Sequence, residues 1–337
     1  MLNNYLEKLI RYEDLTETEA HCLISMIMDG KLTNLEIAGI LTALIMKGET
    51  SDEIIGFSKG MKERALKINT GDRILIDVCG TGADNSNSFN ISTLTAFVLA
   101  GAGLKVVKHG NRSISSKCGS ADLIKAFGIR IALNEHEVIQ SLNETNFAFI
   151  FAPAFHPSMK IVAPIRKELA IKTIFNIMGP LTNPAEPQYQ MVGVYDQSKA
   201  RTIAEFFLKQ KKKAFVIHST NGWDEATTIC PFTILEISYN EITEETIDPR
   251  HFNFKNCRET DLQADTIEQN LDAAIEALSG TKGALRDALL LNGALAFLLT
   301  RKVNDMQEGI QLAGETIDGG LALQVIEKLR NIFPFHN

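Results

Sequence analysis

Apolar positions recur along this chain with two different periods, and the change of period divides it. Up to about residue 68 the spacing is helical. Thr16 pairs with Glu19 as a capping box, and Ala20, Leu23, Ile24, Ile27 and Met28 follow on one face. Asp29-Gly30 stops that helix. Thr33 with Glu36 opens a second, which Lys47-Gly48 ends, and Thr50 with Glu53 opens a third. The even spacing of the cap threonines allows a helical repeat, but three short helices packed as a small bundle is the plainer expectation. No catalytic cluster falls there, so the helices read as a wall or a dimerisation surface.

From residue 72 the pattern changes to short apolar runs separated by helical stretches, as in a parallel α/β sheet. The runs at 74–78, 104–107, 129–133 and 147–151 are the expected strands, and Asn134 with Glu137 opens a helix between the last two. Further strands are expected at 191–195 and 214–218. In between, Pro157 suits the first turn of a helix and Pro164 kinks it or opens a new one. Gly179-Pro180 and Asn183-Pro184 mark a structured loop. Residues 227–260 read as β structure and loops. Helices follow at 265–278, 281–301 and 305–331, with Ala284, Leu285, Ala288, Leu289, Asn292 and Ala296 as an inward face covering the sheet. The expected fold class is α/β: a small all-helical domain over 1–70, with a returning segment near 170–187, and a larger α/β domain over 71–337 with a central, mostly parallel sheet.

Composition removes some functions. The 337 residues are 45% hydrophobic and 22% charged, as in ordinary globular proteins. The net charge is −7 and no long run of Lys or Arg occurs, which argues against binding nucleic acid by phosphate neutralisation. No apolar run is long enough to span a bilayer, and the first residues lack a signal-peptide core. The five cysteines, Cys22, Cys79, Cys118, Cys230 and Cys257, form no CxxC pair and read as reduced thiols of a cytoplasmic protein.

The candidate chemistry lies in the turns that follow the strands. Gly80 and Gly82 follow the run at 74–78 and can bare backbone N–H groups to an anion. Ser92 and Thr93 lie near the start of the next helix, where free N–H groups and the helix dipole favour negative charge. Lys108, His109 and Arg112 leave the neighbouring strand end. A glycine pair alone is weak evidence, but a hydroxyl-rich turn and a cationic turn on successive strands point to phosphate. Asp224-Glu225, on a loop after the strand at 214–218, reads alone as a solvated acidic turn, but the phosphate-type turns elsewhere raise the reading of a Mg²⁺ site, since Mg²⁺ takes few protein oxygens. Arg166 can clamp a carboxylate with its planar fork, although taken alone, beside Lys167 and Glu168, it reads better as a solvated helix charge.

Taken together these motifs resemble the anthranilate phosphoribosyltransferase family. The matching residues are Cys79-Gly80-Thr81-Gly82 with Asp84, Phe89 through Thr93, Lys108 through Ser116, Gly119 through Asp122, the stretch from His156 to Leu169, Phe175-Asn176-Ile177, Gly179 through Pro184, and Gly222 with Asp224-Glu225. The resemblance implies the architecture shared by nucleoside phosphorylases and these transferases, and transfer of a phosphoribosyl group to anthranilate. It implies that phosphoribosyl pyrophosphate is held by Gly80, Gly82, Ala83, Asp84, Ser88, Asn90, Ile91, Ser92, Thr93, Lys108, His109, Gly110, Asn111, Arg112, Ser113, Ile114, Ser115, Ser116 and Ser120. Anthranilate would meet Gly80, Asn111, Arg166, His109 and His156. Mg²⁺ would be bound at Ser92, Asp224 and Glu225, mainly through the diphosphate. The resemblance further implies a homodimer through the helical domain, and no essential general base is expected. The chain departs from the family at Ala83 and Asn85, where glycines are common, at Ser88, usually Thr, and at Ile161, where a more polar residue is frequent. Two other readings share the scaffold: a pyrimidine nucleoside phosphorylase, and a non-enzymatic nucleic-acid-binding relative.

Overall fold

The structure is a computed structural model, and it describes residues 2–71, 73–82, 84, 86–112 and 117–335. By their internal packing these residues form two compact units, Met1–Ile68 with Ala152–Glu186, and Asn69–Phe151 with Pro187–Asn337.

The chain begins with four helices: α1 (Leu2–Ile10), α2 (Glu17–Met28), α3 (Asn34–Lys47) and α4 (Ser51–Glu63). The threonine caps form as the sequence leads one to expect. The hydroxyls of Thr16, Thr33 and Thr50 accept from the backbone N–H of Glu19, Glu36 and Glu53, and each glutamate accepts in return from the cap N–H, at 2.9, 2.7 and 2.9 Å. Glu53 does more than cap. It is fully buried, accepts from Leu15 N at 3.0 Å, and pairs with the Lys47 ammonium at 2.9 Å.

The α/β unit starts with β1 (Leu75–Gly80), α5 (Ile91–Gly101), β2 (Lys105–Gly110), α6 (Ser120–Ala126), α7 (Glu135–Thr145) and β3 (Phe147–Phe151). The chain then re-enters the helical unit as α8 (Ala152–Phe155), α9 (Met159–Leu169) and α10 (Phe175–Leu181). The stretch grouped with the first helices thus starts at Ala152, against the expected 170–187. Pro164 lies inside α9 without ending it, and the Gly179-Pro180 motif falls within α10 rather than in a loop. The α/β unit resumes with β4 (Tyr189–Gly193), α11 (Gln197–Lys209), β5 (Lys213–Ser219), β6 (Phe232–Ser238) and β7 (Glu241–Ile247). Helices α12 (Ile267–Leu278), α13 (Ala284–Leu299), α14 (Met306–Asp318) and α15 (Leu321–Ile332) complete it.

The seven strands form one sheet in the order β3-β2-β1-β4-β5-β6-β7. Strands β1 to β5 are parallel, and β6 and β7 join as an antiparallel hairpin. Strand order runs outward from β1 through β2 to β3, then returns to β4 on the other side of β1. Ligands of such sheets bind at this reversal, outside the carboxyl ends of the strands. Helix α5 is buried along almost its whole length, and Phe97 packs against Phe127 and Phe147 with ring centroids 5.8 and 4.6 Å apart. Helix α13 supplies the expected inward face, with Asn292 donating to Ala226 O and Ala288 O.

Beyond the α8–α10 stretch, and beyond α1, which adds a fourth helix to the three expected, two more elements differ. Residues 129–133 form no strand of the sheet. Ile129, Ile131 and Leu133 are buried alternately, as their pattern suggests, but the partner is the carboxyl-terminal tail. Arg130 N donates to Phe333 O and Phe335 N to Gly128 O, both at 2.8 Å. The expected single helix over 305–331 is two helices, because Gly320 takes a left-handed φ of +69° at the start of α15.

Candidate active site

Glycines bring three strand ends together at the reversal of the sheet. Gly80 ends β1, Gly193 ends β4, and the two are partners in register. After β5, Gly222 with φ +87° turns the chain, Gly222 N donates to Ser219 O and Ser219 N to Trp223 O. That turn lays Asp224 across both glycines. A Cβ on Gly80 would run into the Asp224 carboxylate, and one on Gly193 into its carbonyl oxygen. Gly82, with φ +64°, donates its N–H to Asp224 Oδ2 at 2.6 Å. The next carboxylate, Glu225, accepts from Ser92 N in the first turn of α5 at 3.2 Å, and its backbone O accepts from Ser219 Oγ at 2.7 Å.

Negative charge is crowded here. Burial, then the neighbouring Asp84 charge, pushes the Asp224 carboxyl well above the usual range. Burial, then Asp224 itself, does the same to Glu225, while Lys108 works against it. Asp84 Oδ1 accepts from Ser86 N at 3.1 Å, but its buried Oδ2 has no hydrogen-bond partner among the described residues. These observations fit a divalent cation, whose charge would relieve the repulsion. Among the described residues no three His, Cys, Asp or Glu side chains form a ready ligand cluster. Mg²⁺ keeps waters and takes phosphate oxygens to complete its shell, so few protein oxygens hold it. Asp224 and Glu225 are the residues that would face it.

The turn after β1 is pinned by the segment before α12. Ser88 bridges to Gln263, Phe89 N donates to Leu262 O at 2.9 Å, and Gln263 Nε2 donates to Ser86 O at 2.8 Å. Ser88 Oγ accepts from Ser86 Oγ at 3.0 Å. Asn90 caps α5 without a side-chain bond to it and donates instead to Cys118 O at 3.2 Å. Ile91, Ser92 and Thr93 form the first turn, and the buried Thr93 hydroxyl has no partner among the described residues.

Lys108 is only 2% exposed and is not a free surface cation. Its ammonium donates to Val78 O at 2.7 Å and to Ser92 Oγ at 3.2 Å. His109 is buried beside it. At Gly110 a Cβ would meet Ser120 Oγ and the Phe149 ring. Asn111 and Arg112 are exposed. Asn111 O accepts from Ser120 Oγ and Ala121 N, each at 3.2 Å, and Arg112 sits 5.9 Å over the Phe151 ring. Ala83 and residues 113–116 (Ser113, Ile114, Ser115 and Ser116) lie outside the described residues.

Two candidate residues belong to the helical unit. Arg166, on α9, is half-buried 5.7 Å over the Phe175 ring, with Asn176 Oδ1 at 3.4 Å, and among the described residues it pairs with no carboxylate. Burial lowers its pKa. His156 is buried, and burial pulls its pKa down to about 4 although a Thr182 backbone contact opposes this.

Gly193 and Asp77 do not stand out in the sequence as site residues. A glycine inside an apolar strand marks a close approach, and an acid in the run Ile74-Leu75-Ile76-Asp77-Val78 marks a buried partner. Both signals were present in the sequence without their partners.

Comparison with known proteins places the chain. The model of the glycosyl transferase family a/b domain matches residues 72–323, and that family's helical bundle domain matches residues 3–65. The anthranilate phosphoribosyltransferase of Alkaliphilus metalliredigens is 42% identical over 331 residues, covering 98% of this chain and 97% of its own. That of Pelotomaculum thermopropionicum is 40% identical over 336 residues, covering 99% and 96%. The chain belongs to the anthranilate phosphoribosyltransferase family. The crystal structure of the anthranilate phosphoribosyltransferase from Thermus thermophilus matches with a TM-score of 0.91 at 34% identity, covering 97% of this chain and 98% of that one. The Saccharomyces cerevisiae anthranilate phosphoribosyltransferase, solved in complex with PRPP and Mg, matches with a TM-score of 0.90 at 27% identity, covering 98% and 97%.

Proposed function

We propose that this protein transfers the 5-phosphoribosyl group of phosphoribosyl pyrophosphate to the amine of anthranilate, giving N-(5-phosphoribosyl)anthranilate and pyrophosphate, the step of that family in L-tryptophan biosynthesis. The observation that carries the reading is the buried Asp224–Glu225 pair at the sheet reversal, facing the first turn of α5 and the glycine turn after β1. Bound Mg²⁺ would neutralise charge on the departing pyrophosphate.

The remaining work is positioning and electrostatics by the chain itself. The hydroxyls of Ser88 and Ser92, beside the first turn of α5, serve as donors to the anion in this reading. Gly110, Asn111, Arg112 and Ser120, with the run through Ser116, complete the donor's shell in this reading. Arg166 takes the anthranilate carboxylate, since its fork is half-buried and lacks an internal carboxylate. An aryl amine is neutral at pH 7 and needs no strong base. His156, with a pKa near 4, suits a neutral packing role rather than proton transfer. Loss of turnover in a histidine-to-alanine variant that still binds both substrates would count against this absence of a base.

The protein is taken to act in the cytoplasm as a homodimer. Large apolar side chains exposed on the helical unit, with Leu35 at 86% and Met46 at 66%, support a dimer through that unit. Sedimentation of the purified protein decides it, and a monomer at micromolar concentration would sink the dimer. The function itself is tested by following anthranilate fluorescence with phosphoribosyl pyrophosphate, with and without Mg²⁺. Loss of signal that requires both is expected. No loss, together with phosphorolysis of thymidine or uridine, would overturn the assignment.

A further inference from the structure

Strands β1 and β2 are neighbours in the sheet, yet their backbones pair only at Leu75↔Lys105 and Ile76↔Val106. On their outer edges both pair to the last residue, β1 with β4 as far as Gly80↔Gly193 and β2 with β3 as far as Gly110↔Phe151. The shared edge is therefore open over its carboxyl-terminal half.

Two buried side chains of opposite charge fill the opening, each reaching the other strand's backbone. From β1, Asp77 Oδ1 accepts the His109 N–H at 3.3 Å. From β2, the Lys108 ammonium donates to Val78 O at 2.7 Å. Asp77 is 0% exposed and Lys108 is 2% exposed. Each satisfies a backbone group of the neighbouring strand. The Lys108 ammonium also reaches Ser92 Oγ at 3.2 Å, tying the clasp to the first turn of α5.

An acid is a costly way to fill an apolar sheet, since buried charge must be compensated. A closed ladder would need neither charge. The two strand ends beyond the clasp lead into the glycine turn that starts at Gly80 and the polar turn that starts at Gly110. We infer that Asp77 is a positioning residue for the phosphoribosyl donor: it holds the end of β2 at a fixed distance from the end of β1, so that the turns after both strands meet the same anion. This inference rests on the phosphoribosyl reading of the site. It adds a residue that does not itself touch substrate.

The test compares wild type with Asp77→Ala, Asp77→Asn and Asp77→Ser. It measures kcat, KM for each substrate, Tm, and binding of inorganic pyrophosphate with Mg²⁺ by calorimetry. For Asp77→Ala the donor KM and the pyrophosphate Kd are expected to rise on the order of tenfold or more, with the anthranilate KM within about twofold, because misplacing one turn spoils the geometry of one substrate. Asp77→Asn, whose amide oxygen keeps an acceptor for His109 N–H, is expected to recover most of that loss. A folded Asp77→Ala with unchanged donor KM overturns the inference, and so does an Asn variant no better than Ala. Should Asp77→Ala fail to fold, the decision passes to the other two. Asn near wild type with Ser impaired for the donor supports the clasp, and an Asn variant with raised donor KM overturns it. Without wild-type turnover the transferase reading falls, while the pyrophosphate affinities still decide the role of Asp77.

Discussion

At Gly193 the requirement is spatial. Its missing Cβ leaves room for the Asp224 carbonyl, which a methyl group would overlap. Gly193→Ala is expected to lower kcat/KM on the order of a hundredfold, because the Asp224–Glu225 turn must shift away from the α5 terminus. Steady-state kinetics check this, and activity within a few-fold of wild type would show that the turn can move without loss. At Arg166 the requirement is chemical. Arg166→Ala is expected to raise the anthranilate KM on the order of tenfold to a hundredfold and leave the donor KM unchanged. Arg166→Lys should recover only part, since an ammonium cannot offer two parallel donors. An equal rise in both KM values would place Arg166 in general structure instead. Arg166 shows where residue-level reading stops. Beside Lys167 and Glu168 it reads as a surface charge, and only the Phe175 ring and Asn176 distinguish it.

At the level of elements, local signals did most of the work in the helical unit. The capping boxes at Thr16, Thr33 and Thr50 depend on residues three apart, so the sequence shows them directly. The further role of Glu53 does not show there, because Leu15 N and Lys47 Nζ reach it through packing. Glu53→Ala removes the buried carboxylate of Lys47, whose side chain is only 3% exposed, and leaves it Asp14 and Gly48 O as acceptors. We expect destabilisation of about 3–5 kcal/mol, as for removal of one partner of a buried pair, read as a lower denaturant midpoint. A change below about 1 kcal/mol would mean that Asp14 alone suffices for Lys47. The segment 129–133 is the contrary case. Its alternation reads as a strand of the sheet, which does not form, because alternation carries no information about the partner, here the tail near Phe333.

Across the whole molecule, stability should carry a histidine signature. His156 has a folded pKa near 4, lowered by burial from the ordinary 6.5. The unfolded chain therefore binds the proton more readily, so the contribution of this residue is complete above about pH 6.5 and falls as pH drops towards 4. The difference in stability between wild type and His156→Gln is expected to shrink by roughly 2–3 kcal/mol over that window. Denaturation of both proteins at pH 7.5 and pH 4.5 measures it, and a constant difference would mean that His156 keeps an ordinary pKa. The same burial explains why this histidine was legible in sequence only as a candidate. By itself the sequence determined the threonine-capped helix starts at Thr16, Thr33 and Thr50, the alternation of strand and helix, the parallel sheet and the two polar turns at strand ends, since all of these follow from spacing along the chain. It also supplied the motifs that carry the family resemblance. Tertiary structure alone decided that Asp224 lies across Gly80 and Gly193, that Lys108 spends its charge on Val78 and Ser92, and that Asp77 bridges two strands. Those facts depend on residues far apart in the chain meeting at one sheet edge, and the pattern of any single segment contains no record of its partner.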